Sequence, residues 1–294
     1  MAGFLAGKNV AVTGAGRGIG RAVALACAAE GANVVVADIG VEMDGSDPKS
    51  EVAEQVAKQI EAAGGTAIAL SADVTSMADG ARIVTTAVEE WGTIDGVVCP
   101  AGILRERMLF NMSEDEWDAV VDVHLKGHFT VFRAASEVMR EQRSGSLVGF
   151  TSGAFQGSIA QSNYSAAKGG IVSLVRSAAA GMRKYGVRAN AIAPVAKTRM
   201  SDNVPMSIEM GEAEDVAPMV VYLLSDAAKE VTGQIYTAVG GRLAVWNQPQ
   251  EVREISTDGR WSPDEIAARF DELGQERMPL FDLMDQWAAK SQGG

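Results

Sequence analysis

The sequence predicts an α/β fold: a doubly wound parallel sheet of seven strands, followed by a helical C-terminal extension. Three observations carry this. Short β-branched runs alternate with helical patterns from residue 8 to residue 241. A glycine-rich turn joins the first strand to the first helix, and an acid ends the second strand. In order, KNVAVTG (8–14) reads as a strand ending in a glycine turn, 18–30 as a helix with Ile19, Val23, Leu25 and Ala26 apolar, and NVVVA (33–37) as a strand between Gly31 and Asp38. A polar loop, GVEMDGSDPKS (40–50), leads to a helix over 51–63 with Val52, Val56 and Ile60 at spacing four. AIALSADV (67–74) is a strand, 77–91 a helix stopped by Gly92, and GVVCPAG (96–102) a strand plus turn. Ser113 and Glu116 form a capping box that opens one long helix through about Arg143. SLVGFTS (146–152), a helix over 162–184, RANAIAP (188–194), a helix over 213–225 and QIYTAVGG (234–241) complete the alternation.

Composition narrows the function. Of 294 residues, 47% are hydrophobic and 22% charged, as in ordinary globular chains. The net charge of −12 argues against nucleic-acid or anionic-membrane partners, whose phosphates need surplus cations. No run of 18 apolar residues predicts a membrane span, and Val10–Val12 runs into glycines rather than forming a signal peptide. Cys27 and Cys99 read as buried thiols of a reducing compartment. A cytoplasmic location follows as the expectation, the terminal Ser-Gln-Gly-Gly not being a peroxisomal address. His124 and His128 could share a helix face, but without cysteine or carboxylate partners they do not make a zinc site, so no metal is expected.

In Thr13-Gly14-Ala15-Gly16-Arg17-Gly18-Ile19-Gly20, Gly14 permits a tight turn, while Gly18 and Gly20 remove Cβ atoms where backbone meets cofactor and helix meets sheet. The helix N-terminus then faces a pyrophosphate. Asp38 stands where a carboxylate accepts hydrogen bonds from the adenosine ribose. Together they predict a dinucleotide site of the Rossmann type. Asp38 repels a 2′-phosphate while Arg17 would attract one; the acid makes the direct ribose contact, so NAD is expected over NADP.

Tyr164 and Lys168, four apart, share one helix face. An ammonium nearby stabilises a phenolate, so Lys168 can tune Tyr164 as a general acid/base. Ser152, just after a strand, can hydrogen-bond a substrate oxygen as charge develops; Thr151 is a rival for that role.

With these residues in order, residues 5–242 resemble the short-chain dehydrogenase/reductase family. Thr13-Gly14-x-x-x-Gly18-x-Gly20, Asp73-Val74, Ala101-Gly102, Ser152, Tyr164-x-x-x-Lys168 and Pro194 carry the resemblance. It implies that Tyr164 is the catalytic acid/base, that Ser152 orients the substrate oxygen, and that Lys168 lowers the tyrosine pKa and holds the nicotinamide ribose. It further implies that Asp73 and Val74 border the adenine and that Thr198 reaches the carboxamide or pyrophosphate. Four departures stand out: Cys99-Pro100 replaces the usual paired asparagines, His124 replaces a helix asparagine, the Ser-to-Tyr spacing is one shorter, and Val195 follows Pro194 in place of glycine. The segments VHLKGHF (123–129), NYSAAK (163–168) and APVAKTRM (193–200), with the 40–50 loop, resemble the (3R)-hydroxyacyl-CoA and 17β-hydroxysteroid dehydrogenase branch.

The expected function is therefore NAD-dependent interconversion of a secondary alcohol and a ketone on a small-molecule substrate. Leu104, Phe155, Gln156, Gln161 and residues 199–210 are expected to wall the substrate, and their apolar members favour a lipophilic or acyl substrate over a sugar. The rivals are an NADP-dependent 3-ketoacyl reductase and a non-catalytic NAD-binding scaffold or sensor. The resemblance implies a homo-oligomer, a tetramer. The expected division is a catalytic domain over 1–242 and an extension over 243–294. In the extension, Ser262-Pro263-Asp264-Glu265 starts a helix. Ile266, Phe270 and Leu273, then Phe281, Met284 and Trp287, form apolar stripes suited to a lid or a subunit interface.

Overall fold

The alternating apolar runs pair into one sheet of eight strands in this computed structural model, which describes residues 3–42, 45–46, 51–197, 210–282 and 284–285. The strands are β1 (Asn9–Thr13), β2 (Asn33–Ala37), β3 (Thr66–Leu70), β4 (Gly96–Cys99), β5 (Gly145–Phe150), β6 (Val187–Pro194), β7 (Ile235–Val239) and β8 (Arg242–Val245). Their order in the sheet is β3-β2-β1-β4-β5-β6-β7-β8. The first seven run parallel, and β8 turns back antiparallel to β7, with Val239 opposite Arg242. The sequence pattern missed β8 because a hairpin edge strand with exposed Leu243 and Val245 lacks the buried run that marks the others.

Helices cover both faces, as a parallel sheet requires. Side chains alternate along each strand. Val10 and Val12 of β1 and Val34 and Val36 of β2 pack with α1 (Gly18–Ala29), α2 (Glu51–Ala62) and α7 (Ala217–Leu224). Ala11, Val35 and Leu147 point the other way, into α3 (Met77–Trp91), α5 (Gly127–Gln142) and α6 (Ser162–Met182). The helix opened by the Ser113 capping box is not continuous: α4 (Glu114–Val121) passes into a π-helical turn, Asp122–Lys126, before α5. That wider turn holds His124, and such turns often mark functional sites.

After β3 the chain crosses back to lay β4 beside β1, on the side opposite β2. This reversal opens a crevice at the carboxyl ends of β1 and β4, where open α/β sheets bind ligands.

The first compact unit runs from Met1 to Trp246, four residues past the expected boundary at 242, because Arg242–Val245 pairs with β7. The second, Asn247–Gly294, contains α8 (Pro263–Leu273). There Ser262 Oγ accepts the Glu265 N–H at 3.2 Å and the Glu265 carboxylate accepts the Ser262 N–H at 2.8 Å, a capping box at the helix start the sequence predicts. Arg269 lies over the Trp261 ring, and Ile266 and Phe270 are exposed. Trp287 lies outside the described residues. Among the described residues, no helix is long and apolar enough to cross a membrane.

Candidate active site

The glycine turn after β1 is shaped by close backbone approach. Gly14 has φ +56°, and a Cβ there would stand 2.7 Å from the Ala101 Cα. A Cβ on Gly20 would stand 2.0 Å from the Gly14 carbonyl oxygen, so α1 packs against the turn only with glycine there. Asp38, at the end of β2, accepts the Gly16 N–H at 2.8 Å and the Gly40 N–H at 2.6 Å, which fixes its carboxylate beside the turn. The Arg17 guanidinium donates to the Val41 carbonyl at 3.3 Å and lies 3.8 Å from the Glu42 carboxylate.

Above the turn lies a cavity of about 510 Å³. Gly14, Arg17, Gly18, Ile19, Gly20, Asp38, Asp73, Val74, Ala101 and Gly102, all expected from sequence to touch a dinucleotide, line it. Ile39, Val41, Pro100 and Ile103 add an apolar wall that sequence reasoning did not assign. The volume, the Cβ-free turn and the single carboxylate at the end of β2 fit a nicotinamide dinucleotide. Thr13 is buried beneath this cavity: its Oγ1 accepts the Ala101 N–H at 3.4 Å and faces the Cys99 thiol. These contacts hold the β4 turn where Cys99-Pro100 lacks the usual asparagine amides. Tyr164, Lys168 and Pro194 are not on this lining, and Thr198 and residues 199–209 lie outside the described residues.

Ser152 follows β5, while Tyr164 and Lys168 lie on the first turns of α6. Asn163, buried, sets the start of α6: its Nδ2 donates to the Arg105 carbonyl at 3.0 Å and the Glu116 carbonyl at 2.8 Å, and its Oδ1 accepts the Tyr164 N–H at 2.7 Å. The Ser152 hydroxyl faces the Tyr164 phenol, and the Lys168 Nζ stands 5.3 Å from the Tyr164 ring centre. The Lys168 Nζ donates to the Phe150 carbonyl at 2.7 Å. Thr151 is engaged elsewhere, its hydroxyl donating to the Lys168 carbonyl at 2.8 Å within the core. Ser152 is thus the hydroxyl on the tyrosine, and Thr151 ties β5 to α6.

The electrostatics differ from the sequence expectation of a tyrosine drawn down by lysine. Burial pushes the Tyr164 phenol up to about 12, partly opposed by the Ser152 hydroxyl. Burial also pulls the Lys168 ammonium down to about 7. Both groups have left water, so each neutral form gains and the lysine's field weakens. Cys27 and Cys99 are likewise pushed up to about 12 by burial, which keeps both thiols unreactive near neutrality.

His124 lies between the cavity wall and this group. Its Nε2 is 2.8 Å from the Ile103 carbonyl oxygen, and its ring meets the Tyr164 ring edge-on at 5.1 Å and 86°. Of the expected substrate walls, Phe155 packs edge-on against Trp246 at 4.7 Å, and Gln161 bonds Glu106. Sequence reasoning missed Asn163 and the bonding roles of Thr151, His128 and Trp246. Of these, only the four-residue spacing of the histidines gives a signal in the sequence. Among the described residues no cluster of three His, Cys, Asp or Glu could hold a metal.

Residues 14–242 match the family described as enoyl-(acyl carrier protein) reductase. A hydroxyacyl-CoA dehydrogenase of Mycobacterium tuberculosis is 40% identical over 282 residues, covering 90% of this chain and 87% of that protein. The peroxisomal hydratase-dehydrogenase-epimerase of Saccharomyces cerevisiae is 40% identical over 246 residues, 82% of this chain but 27% of that longer protein. The crystal structure of a short chain dehydrogenase from Mycobacterium avium superposes with TM-score 0.84 at 46% identity, covering 94% of this chain and 97% of that one.

Proposed function

This chain belongs to the short-chain dehydrogenase/reductase family, and from that membership we propose that it oxidises the hydroxyl of a 3-hydroxyacyl-CoA thioester to the ketone with NAD. The observation that carries the reading is the grouping of Ser152, Tyr164 and Lys168, with the serine hydroxyl on the phenol and the ammonium 5.3 Å from its ring. The glycine turn would hold the pyrophosphate and Asp38 the adenosine ribose; a bound nicotinamide supplies the hydride acceptor. Tyr164 Oη takes the proton of the substrate hydroxyl and returns it in the reverse direction. Ser152 Oγ holds the substrate oxygen beside that phenol. Lys168 offers positive charge to the phenolate when protonated, anchored by the Phe150 carbonyl.

Two observations support NAD. The Asp38 carboxylate, fixed by two backbone N–H groups, repels a 2′-phosphate. Arg17, the cation that would attract one, is engaged by the Val41 carbonyl and faces Glu42. Arg17 still lines the cavity, which is the observation favouring the NADP-dependent reductase as second reading. The test is a spectrophotometric screen of both 3-hydroxyacyl-CoA enantiomers, hydroxysteroids and simple secondary alcohols with NAD and with NADP. The expected result is reduced nicotinamide formed with NAD from an acyl thioester. Turnover of polyols alone, or a preference for NADP, overturns the reading. A homotetramer is part of the proposal, checked by light scattering.

A further inference from the structure

We infer that His128 is a positioning residue for Lys168, acting as a neutral Nδ1–H imidazole that holds the N–H of Phe150 while the ammonium holds its C=O. Its ring is buried, on the first turn of α5. Nε2 accepts the Phe150 N–H at 3.0 Å, and Nδ1 lies 2.6 Å from the His124 carbonyl oxygen. An N–H can only donate and a carbonyl can only accept, so both partners demand one tautomer: proton on Nδ1, lone pair on Nε2. The other end of the same residue, the Phe150 carbonyl, receives the Lys168 Nζ at 2.7 Å. Phe150 is thus gripped at its N–H by His128 and at its C=O by Lys168, two residues before Ser152 in the chain. The ring also ties that strand end to the π-helical turn bearing His124.

His124 takes the opposite tautomer. Its Nε2 lies 2.8 Å from the Ile103 carbonyl and 3.3 Å from the Ile103 N–H; one nitrogen cannot serve both, and the shorter contact makes it the donor. Its Nδ1 is then a bare lone pair, buried and without a partner. The titratable groups that face the two rings are each other, Lys168 and Tyr164, and the Phe132 ring packs against His128 at 5.8 Å. Burial and the lysine charge both hold the histidines neutral, His128 down to about 3. Protonating His128 would remove the acceptor on which the Phe150 N–H depends.

These are the only two histidines in the chain, so ¹⁵N-histidine labelling of the whole protein reads both rings without crowding. The expected spectrum shows two neutral rings in fixed tautomers at both pH 8 and pH 6, His128 with its proton on Nδ1 and His124 on Nε2, with His128→Gln assigning the signals. An Nε2–H or charged His128 overturns the inference. In Lys168→Met the His128 Nε2 signal should shift, because the ammonium polarises the residue that bonds it; no shift overturns the coupling. The kinetic arm rests on the proposed oxidoreductase reading. His128→Phe should lower kcat on the order of tenfold with the NAD KM changed less than about twofold. His128→Gln, which restores an acceptor for the Phe150 N–H, should recover most of the loss. A folded His128→Phe with wild-type kcat overturns the inference. If His128→Phe fails to fold, His128→Gln and the wild-type spectrum decide. If wild type turns over no alcohol, the function fails while the spectra still decide the clamp.

Discussion

Lys168 should destabilise the ligand-free protein near neutral pH, and Lys168→Met should therefore raise its stability while abolishing activity. The lysine is buried and its pKa falls from 10.5 to about 7. The difference of about 3.5 pH units corresponds to about 5 kcal/mol at 1.36 kcal/mol per unit. Removing the side chain also strands the Phe150 carbonyl, which costs about 1–3 kcal/mol. The net gain is about 2–4 kcal/mol, or roughly 4–8 °C for a domain of this size. The pH dependence has a definite sign. Below pH 7 the lysine is charged in both folded and unfolded chains, and the burial penalty is complete. Between pH 7 and 10.5 the unfolded chain holds a proton that the folded chain has released, so wild-type stability rises with pH. The advantage of Lys168→Met should be largest at pH 6–7 and shrink steadily toward pH 9.5. Scanning calorimetry of both proteins across that range measures it. A variant less stable than wild type at pH 6.5, or a difference independent of pH, refutes the reasoning.

Tyr164→Phe should reduce kcat by about 10²–10⁴-fold with NAD affinity retained, measured by turnover and by cofactor fluorescence titration. Ser152→Ala should likewise act on kcat, whereas Thr151→Val should lower the unfolding free energy by about 0.5–1.5 kcal/mol in denaturant melts, since it removes the hydroxyl bond to the Lys168 carbonyl while that carbonyl keeps its place in the helix. Asp38→Ser, which keeps an acceptor for the turn but removes the charge, should lower the NAD-to-NADP preference by at least about tenfold in competition titrations. Gly20→Ala should destabilise the fold and weaken cofactor binding together, because its Cβ would meet the Gly14 carbonyl at 2.0 Å.

Much of this molecule is written in local pattern. β-Branched runs such as Asn33–Ala37 alternate with helices at fixed periods, and the seven parallel strands follow from them. The lining of the cavity was legible too, because glycines at 14, 18 and 20 and an acid at 38 report backbone constraints that no other residues meet. What was not legible depends on partners distant in sequence. The π-helical turn at Asp122–Lys126 is a half-step in an otherwise helical period, and the Ser113 capping box gives no sign of it. β8 lacks a buried run of its own and exists through pairing with β7.

The sequence by itself determined the fold class, the glycine turn after β1 and the Tyr164–Lys168 pair, because each rests on residue types at short fixed spacings. Tertiary structure alone decided which hydroxyl meets the tyrosine. Thr151 and Ser152 are adjacent just beyond β5, and only the folded chain sends one into the core toward the Lys168 carbonyl and the other to the phenol. It also decided the electrostatics. Lys168 at spacing four predicts a lowered tyrosine, but burial of both groups removes the water that would stabilise their charged forms, and the tyrosine rises instead. The roles of His124 and His128 emerged the same way: a four-residue spacing places them together, and only the carbonyls and N–H groups they meet set which ring nitrogen carries the proton.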